Sequence, residues 1–358
     1  MKSLFNLLFL NFLLFGLTCF TACNYSESSA RNKRLPIKKI KIQASDKVNG
    51  VNFVAPPKAI SNEWTNDLIS VNCNWVALVP YAFTKAGSNK VTYDYGYQYW
   101  GESPAGIKEN AKQAHQAGLK VMLKPHVWLQ NGWIGDFNLQ SEAEWKTWEN
   151  DYRNYILLLT QIAIDEKIEM ICLGTEYRTA VKNRPVFWKS LIKEVREIYK
   201  GKLTYCANWD DYEAVSFWED LDFIGISAYF PLSDSKSPTV DELLKSWKPI
   251  RKSLSAFSAE KGKPILFTEY GYRSMDQAAW RSWEKENEQA PINNQAQAIA
   301  YDALYQTFWK EDWFAGGFAW KWYSSFRRMD STKNHDWTPQ NKAAELMMKK
   351  YYETTINR

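Results

Sequence analysis

The chain has 358 residues, is 45% apolar and carries a formal net charge of +5. That is enough for one large domain or two ordinary ones with a sizeable core, and it excludes a largely disordered protein. Several of the positive charges lie in one run, RNKRLPIKKIK (31–41), and without it the remainder is close to neutral, which excludes the basic footprint of a nucleic-acid binder. The 18 tryptophans are several times what an average chain of this length carries, and a buried core could absorb some of them. Indole rings stack on the apolar faces of sugars, so a carbohydrate ligand is one expectation.

Lys2 precedes an apolar run, LFNLLFLNFLLFGLTCF, of signal-peptide or single-span length. It ends in Phe20-Thr21-Ala22-Cys23. Small residues directly before a cysteine resemble the lipobox of bacterial lipoproteins, although Phe20 stands where leucine is usual. The expectation is a lipoprotein signal peptide over 1–22 and lipidation at Cys23. A flexible tether over 23–47, rich in Ser, Asn, Lys and Arg, would follow. Plain secretion and a retained signal anchor are the alternatives. The implied location is the bacterial cell envelope, facing the periplasm or the surface.

From residue 48 to 358 short apolar runs alternate with helical patterns. Strands are predicted over 50–54, 74–79, 119–124, 169–174, 203–207, 222–228, 264–268 and 315–320. Most are continuously apolar, as strands buried on both faces are. Between them, Ser141 with Glu144 and Thr239 with Glu242 form capping boxes that open helices. Pro185 suits a first helical turn, Gly201 and Gly262 suit helix ends, and Thr338-Pro339 starts a last helix ending near Tyr352. Eight strands alternating with helices predict an α/β fold, a single (β/α)8 TIM barrel. A doubly wound open sheet is the runner-up, but no GxGxxG follows the first strand. Cys73, Cys172 and Cys206 fall on separate apolar strands and read as buried hydrophobes. His115, His126 and His335 are far apart and show no metal-ligand spacing, so no metal or other cofactor is expected. Nothing suggests an obligate oligomer, and a monomer is the expectation.

In such a barrel the strands deliver functional groups at their C-terminal ends. EMICLGTEY (169–177) and ILFTEYGY (265–272) each run from an apolar strand into a glutamate followed by tyrosine. Glu176 and Glu269 would therefore enter one cavity mouth after strands four and seven. Two carboxyl groups flanking one bond are the minimum apparatus for glycoside hydrolysis. One gives a proton to the leaving oxygen, and the other stabilises or attacks the anomeric carbon. Each also shifts the ionisation of the other.

The order of these stretches resembles clan A of the glycoside hydrolases, and within it family 113, whose members are endo-β-1,4-mannanases. Supporting segments are KVMLKPHVW (120–128), CLGTEY (172–177), YCANWDDY (205–212), FIGISAYFPL (223–232), GFAWKWY (317–323) and the closing NHDWTPQNKAAELM (334–347). The resemblance implies a retaining hydrolase with Glu176 as general acid/base and Glu269 as nucleophile. It implies Tyr229 as a hydrogen-bond donor to the nucleophile and Trp320 as the aromatic floor under the reacting sugar. The clan usually has asparagine immediately before the acid/base, bonding the sugar 2-OH, whereas this chain has Thr175. Thr175 makes fewer such bonds, and Asn208 or His126 would take over part of the role. Trp128, Trp133, Trp209 and Trp322, all in predicted strand-end loops, are further candidates for sugar contact. Cleavage of another β-linked glycan and a non-catalytic surface glycan-binding lipoprotein are the alternatives.

Overall fold

The computed structural model describes residues 40–281, 283–284, 289–325, 330 and 334–356. The expected signal peptide, Cys23 and most of the expected tether lie outside the described residues. Among the described residues no helix is long and apolar enough to cross a membrane.

In chain order the strands and helices are β1 (Val48–Phe53), α1 (Trp64–Ser70), β2 (Trp75–Leu78), β3 (Tyr81–Lys85), α2 (Pro104–Gln116), β4 (Lys120–Leu123), β5 (His126–Gln130), α3 (Glu142–Asp165), β6 (Met170–Thr175), α4 (Arg178–Asn183), α5 (Pro185–Ile198), β7 (Lys202–Asn208), β8 (Ile224–Ser227), α6 (Val240–Lys261), β9 (Ile265–Tyr270), α7 (Asn294–Phe308), β10 (Phe314–Trp322) and α8 (Ala343–Ile356). Eight strands close a barrel in the order β1-β10-β9-β8-β7-β6-β4-β2, every neighbour parallel. The expected (β/α)8 barrel is therefore the fold.

Side chains alternate along the strands, so each buries one set inside the barrel and the other beneath the helices. Met122, Met170, Cys172, Cys206, Leu266 and Phe318 fill the interior. Ile171, Leu203, Ile226 and Phe267 face the outer shell, against such residues as Trp188, Trp247 and Phe308. Gly50 makes room for the interior plug, because a Cβ there would lie 2.4 Å from the ring of Phe318. The three predicted cysteines are free and buried.

Both capping boxes form. Ser141 Oγ accepts from the Glu144 amide and opens α3, and Thr239 does the same for Glu242 at α6. Each such cap stabilises by about 1 kcal/mol. Gly262 ends α6 at φ +64°, a left-handed cap that glycine adopts without strain. Three expectations need correction. Helix α5 ends at Ile198 with Tyr199 as its C-cap, so Gly201 plays no capping part. The last helix starts at Ala343, because Thr338 and Gln340 are tied into a hydrogen-bonded turn before it. The end of the expected tether is fixed to the barrel: the Ile42 amide bonds Asp312 O at 2.8 Å, and buried Lys47 donates to Glu311 O and Phe314 O.

A further departure shapes the mouth. After β2 and after β4 the chain passes a proline, Pro80 and Pro125, which has no N–H to continue the ladder. It then resumes as β3 and β5, which pair in parallel as a separate two-stranded ribbon with Tyr81 opposite His126. The sequence reading ended both strands at these prolines.

Candidate active site

Both glutamates reach the barrel mouth through irregular register. Strict alternation along β9 places Leu266, Thr268 and Tyr270 on one face. The pairing with β8 slips between Ile226 and Ser227, so that Ser227 stands opposite Glu269. The slip turns Glu269 inward and sends Tyr270 to the outer shell, where its hydroxyl bonds Tyr305 and Tyr352. Strand β6 does the same: its register with β7 shifts between Cys172 and Thr175. Gly174 faces outward there, where a Cβ would lie 3.0 Å from Trp188. Bulges of this kind re-aim side chains beside active sites. Glu176 then takes a positive φ of +58°, uncommon for a residue with a side chain. Its amide is held by Cys206 O at 2.7 Å, and the surrounding ladder fixes a conformation that the residue alone would leave.

Glu269 is 5% exposed and surrounded by donors. Tyr229 Oη donates to Oε2 at 2.8 Å. On Oε1, buried Lys124 donates through Nζ, and His126 Nε2 approaches to 3.1 Å. His126 Nε2 is also 2.9 Å from Lys124 Nζ. A single proton on that nitrogen cannot serve both contacts, since Lys124 only donates and the carboxylate only accepts. The neighbouring anion favours the tautomer with its N–H on Nε2. Burial alone raises a carboxyl group, but Lys124 and His126 outweigh it and pull Glu269 down to about 2. Burial and the adjacent ammonium lower His126 to about 4, so the ring is neutral at ordinary pH. Lys124 is buried too, yet Glu269 holds it above its ordinary value.

Glu176 has the opposite environment. Trp133 Nε1 donates to Oε2 at 2.7 Å, but burial and the charge of Glu269 push the carboxyl up to about 7. Ser227 also bonds it from β8. Below about pH 7 the cavity thus holds one protonated carboxyl and one carboxylate, and the charge of the carboxylate helps to keep the other protonated.

The cavity at this mouth has a volume of about 650 Å³ and is lined by both glutamates, Tyr81, His126, Trp128, Trp133, Thr175, Asn208, Trp209, Tyr229, Trp283, Trp320 and Trp337. Trp320 lines it beside Lys124, whose Nζ lies 5.2 Å from the ring. Thr175 is 2% exposed and its hydroxyl is turned to Pro125 O at 3.4 Å. Asn208 lines the cavity and donates to Asp210 at 2.9 Å. Trp322, expected among the sugar contacts, is a correction: it is 2% exposed and packed in the outer core, at the point where the register of β10 against β1 shifts between Trp320 and Trp322.

Sequence reasoning missed Lys124, Ser227 and Trp337. A lysine closing the buried run Val121–Leu123 was a usable signal, since such a charge needs a partner. The closing motif acts through packing: Asp336 bonds Tyr323 at 3.0 Å, Lys342 reaches Asp336 O at 3.0 Å, and Trp337 meets Tyr229 edge-on at 5.2 Å. Among the described residues no group of three or more His, Cys, Asp or Glu side chains is arranged to hold a metal ion.

A profile described as Glycoside Hydrolase Family 113 matches residues 58–342. Comparison with curated proteins gave no match. Among solved structures, the chain is similar to a GH113 β-mannanase from Alicyclobacillus acidocaldarius in complex with ManMIm. That match has 24% identity and a TM-score of 0.76, over 87% of this chain and 100% of the other. A complex of a GH113 β-1,4-mannanase matches at 26% identity and a TM-score of 0.72, over 86% and 99% of the two chains. A β-glucuronidase from Ruminococcus gnavus shares the fold at 13% identity and a TM-score of 0.60, with 88% of this chain covering 52% of that one.

Proposed function

Because the chain belongs to glycoside hydrolase family 113, and is accordingly a glycoside hydrolase, we propose that it cleaves β-1,4-mannosidic linkages with retention. The substrates are mannan, glucomannan or manno-oligosaccharides, and the route is double displacement through Glu176 and Glu269. The observation that carries this reading is the opposite ionisation of two carboxyl groups in one cavity, about 7 and about 2. Pairs pushed apart in this way assign their own acid and base roles.

In the first step Glu269 attacks the anomeric carbon, and the C1–O bond breaks as Glu176 gives its proton to the departing oxygen. Oε2 of Glu269 bears the Tyr229 hydroxyl, whereas Oε1 bears Lys124 and His126. The less encumbered Oε2 is the better nucleophile. In the second step Glu176, now ionised, takes a proton from water as that water attacks C1, and Glu269 leaves as carboxylate. Lys124 and His126 favour this departure because they stabilise the returning anion. Trp320 supplies an apolar face for the sugar.

Mannan as substrate is supported by the two mannanase structures and the family match. Thr175 favours a second reading, another β-linked glycan, since its buried hydroxyl is directed at Pro125 rather than into a sugar 2-OH contact. Incubation with β-1,4-mannohexaose and cellohexaose, with products followed over time, separates them. Cleavage of mannohexaose alone is expected; cleavage of cellohexaose alone overturns the mannan assignment, and binding without products overturns catalysis. Export and anchorage through Cys23 belong to the same proposal and rest on residues 1–23 of the sequence.

A further inference from the structure

Arg178 stands two residues after Glu176, at the start of α4, on a firmly held stretch of backbone. Its amide bonds Glu176 O at 2.9 Å, and the Tyr177 amide bonds the hydroxyl of Tyr205 at 2.8 Å. Its guanidinium reaches across to the loop after β7, where Nε donates to Asp211 at 3.2 Å and Nη2 donates to Asp210. Asp210 is held in turn by Asn208 at 2.9 Å. The Arg178 and Asp210 side chains are each 36% exposed, and ion pairs in such a setting contribute little to stability. What the two carboxylates do is aim the flat guanidinium.

It is aimed at Trp133. The guanidinium carbon lies over the indole, 4.6 Å from the ring centre, a contact that suits a planar, weakly hydrated cation. The ring is hemmed in from its own loop as well. It folds back on Gly135, where a Cβ would lie 2.3 Å from the ring. Thr179 Oγ1 donates to Gly135 O at 2.8 Å, tying the turn Ile134–Asp136 to the helix that carries Arg178. With the ring held in this way, its Nε1 edge meets Glu176 Oε2 at 2.7 Å. The sequence marks Trp133 as a candidate sugar contact, but the ring face beneath Arg178 is closed to a sugar.

We propose that Arg178 is a positioning residue for the acid/base: held by Asp210 and Asp211, it locks the Trp133 indole so that Nε1 stays on the Glu176 carboxyl. The consequence is chemical. An indole N–H donates and never accepts, so with Oε2 engaged the acid's proton is favoured on Oε1, and one defined oxygen faces the departing group. When Glu176 ionises for the second step, the same N–H supports the anion. Arg178 acts through the ring rather than on the carboxyl. Glu176 is also faced by Glu269 of β9, Lys124 after β4, Cys206 of β7, Tyr81 of β3 and Tyr229 after β8, all of which stay in place in the variants below. The inference rests on the hydrolase reading above for the role of Glu176 and adds the device that orients it.

The test follows the titration of Glu176 directly, by NMR of protein isotope-labelled at the glutamate carboxyl carbons, its signal identified by its loss in Glu176→Gln. Wild type, Arg178→Met, Trp133→Phe and the double variant are compared, with thermal unfolding recorded alongside. From about 7 in the wild type, Glu176 is expected to rise by about half a unit in Arg178→Met, roughly a threefold change in its ionisation constant. In the Trp133→Phe background, Arg178→Met is expected to add nothing. Arg178→Lys keeps the charge without the flat stack and is expected to shift as Arg178→Met does. An unchanged titration in Arg178→Met overturns the proposal. So does an equal shift in both backgrounds, or a wild-type titration in Arg178→Lys, since either makes Arg178 a neighbouring charge and nothing more. The alkaline limb of kcat/KM on an aryl β-mannobioside is expected to follow the same order. If neither a β-mannoside nor a β-glucoside is cleaved, the hydrolase reading falls, while the NMR titration still decides whether Arg178 acts through Trp133.

Discussion

Replacing Lys124 by methionine keeps the length of the side chain and removes the charge that faces Glu269. The two side chains are 0% and 6% exposed, so solvent screens the pair little. Glu269 titrates at about 2 against an ordinary 4.5, a difference worth roughly 3 kcal/mol. Without Lys124, burial pushes the carboxyl upward against only the His126 and Tyr229 bonds, and its value is expected at 4.5 or higher. At pH 4 a group titrating at 2 is about 99% ionised, and one at 4.5 or higher about a quarter or less. The acidic limb of kcat/KM should therefore move from below pH 3 to above about pH 4.5 in Lys124→Met. Lys124 is also the smallest of the influences that lower Glu176, which titrates at about 7, so the alkaline limb rises by less than the acidic one, the profile narrows and its maximum falls. The depressed value of Glu269 also contributes folding stability that is present above about pH 4.5 and is lost as pH falls through about 2. Urea unfolding at pH 7 should show that contribution missing in the variant. An acidic limb in Lys124→Met that coincides with the wild type would refute the reasoning, whatever the loss in overall rate.

Trp133→Phe removes the donor at 2.7 Å from Glu176, and a bond to a charged group is worth about 1.5–3 kcal/mol. The alkaline limb of the pH–rate profile should rise by about one unit, because the ionised form loses its support. Tyr229→Phe removes the hydroxyl at 2.8 Å from Glu269 and should slow turnover of an aryl mannobioside by about 10–100-fold, the equivalent of one such bond. Stopped-flow release of the aryl group shows whether the loss falls on formation or breakdown of the intermediate.

The barrel was legible because its strands are apolar on both faces and its helices carry their own caps. Ser141, Thr239 and Gly262 mark boundaries that the structure keeps. The ribbon was not legible. Pro80 and Pro125 end a ladder in any local reading, and only the parallel pairing of two distant segments reveals that the strands resume. The positions of Glu176 and Glu269 could be read from the ends of apolar runs, but the bulges that turn them inward depend on the partner strands. Lys124 illustrates the remaining gap. In sequence it closes a buried run and so calls for a partner, but which partner emerges only when β4 and β9 bring it against a carboxylate 145 residues away. Trp322 shows the reverse error, since an aromatic in the right motif points into the core.

The most direct measurement is covalent trapping. An activated 2-deoxy-2-fluoro-β-mannosyl fluoride loses fluoride readily, while the fluorine at C2 slows release of the sugar, so a glycosyl-enzyme accumulates. Peptide mapping by mass spectrometry is expected to find one added fluorosugar, attached to Glu269 in the segment ILFTEYGY, with inactivation proceeding at the same rate. A label on Glu176, or turnover through an inverted product with no label at all, would contradict the division of labour between these two glutamates.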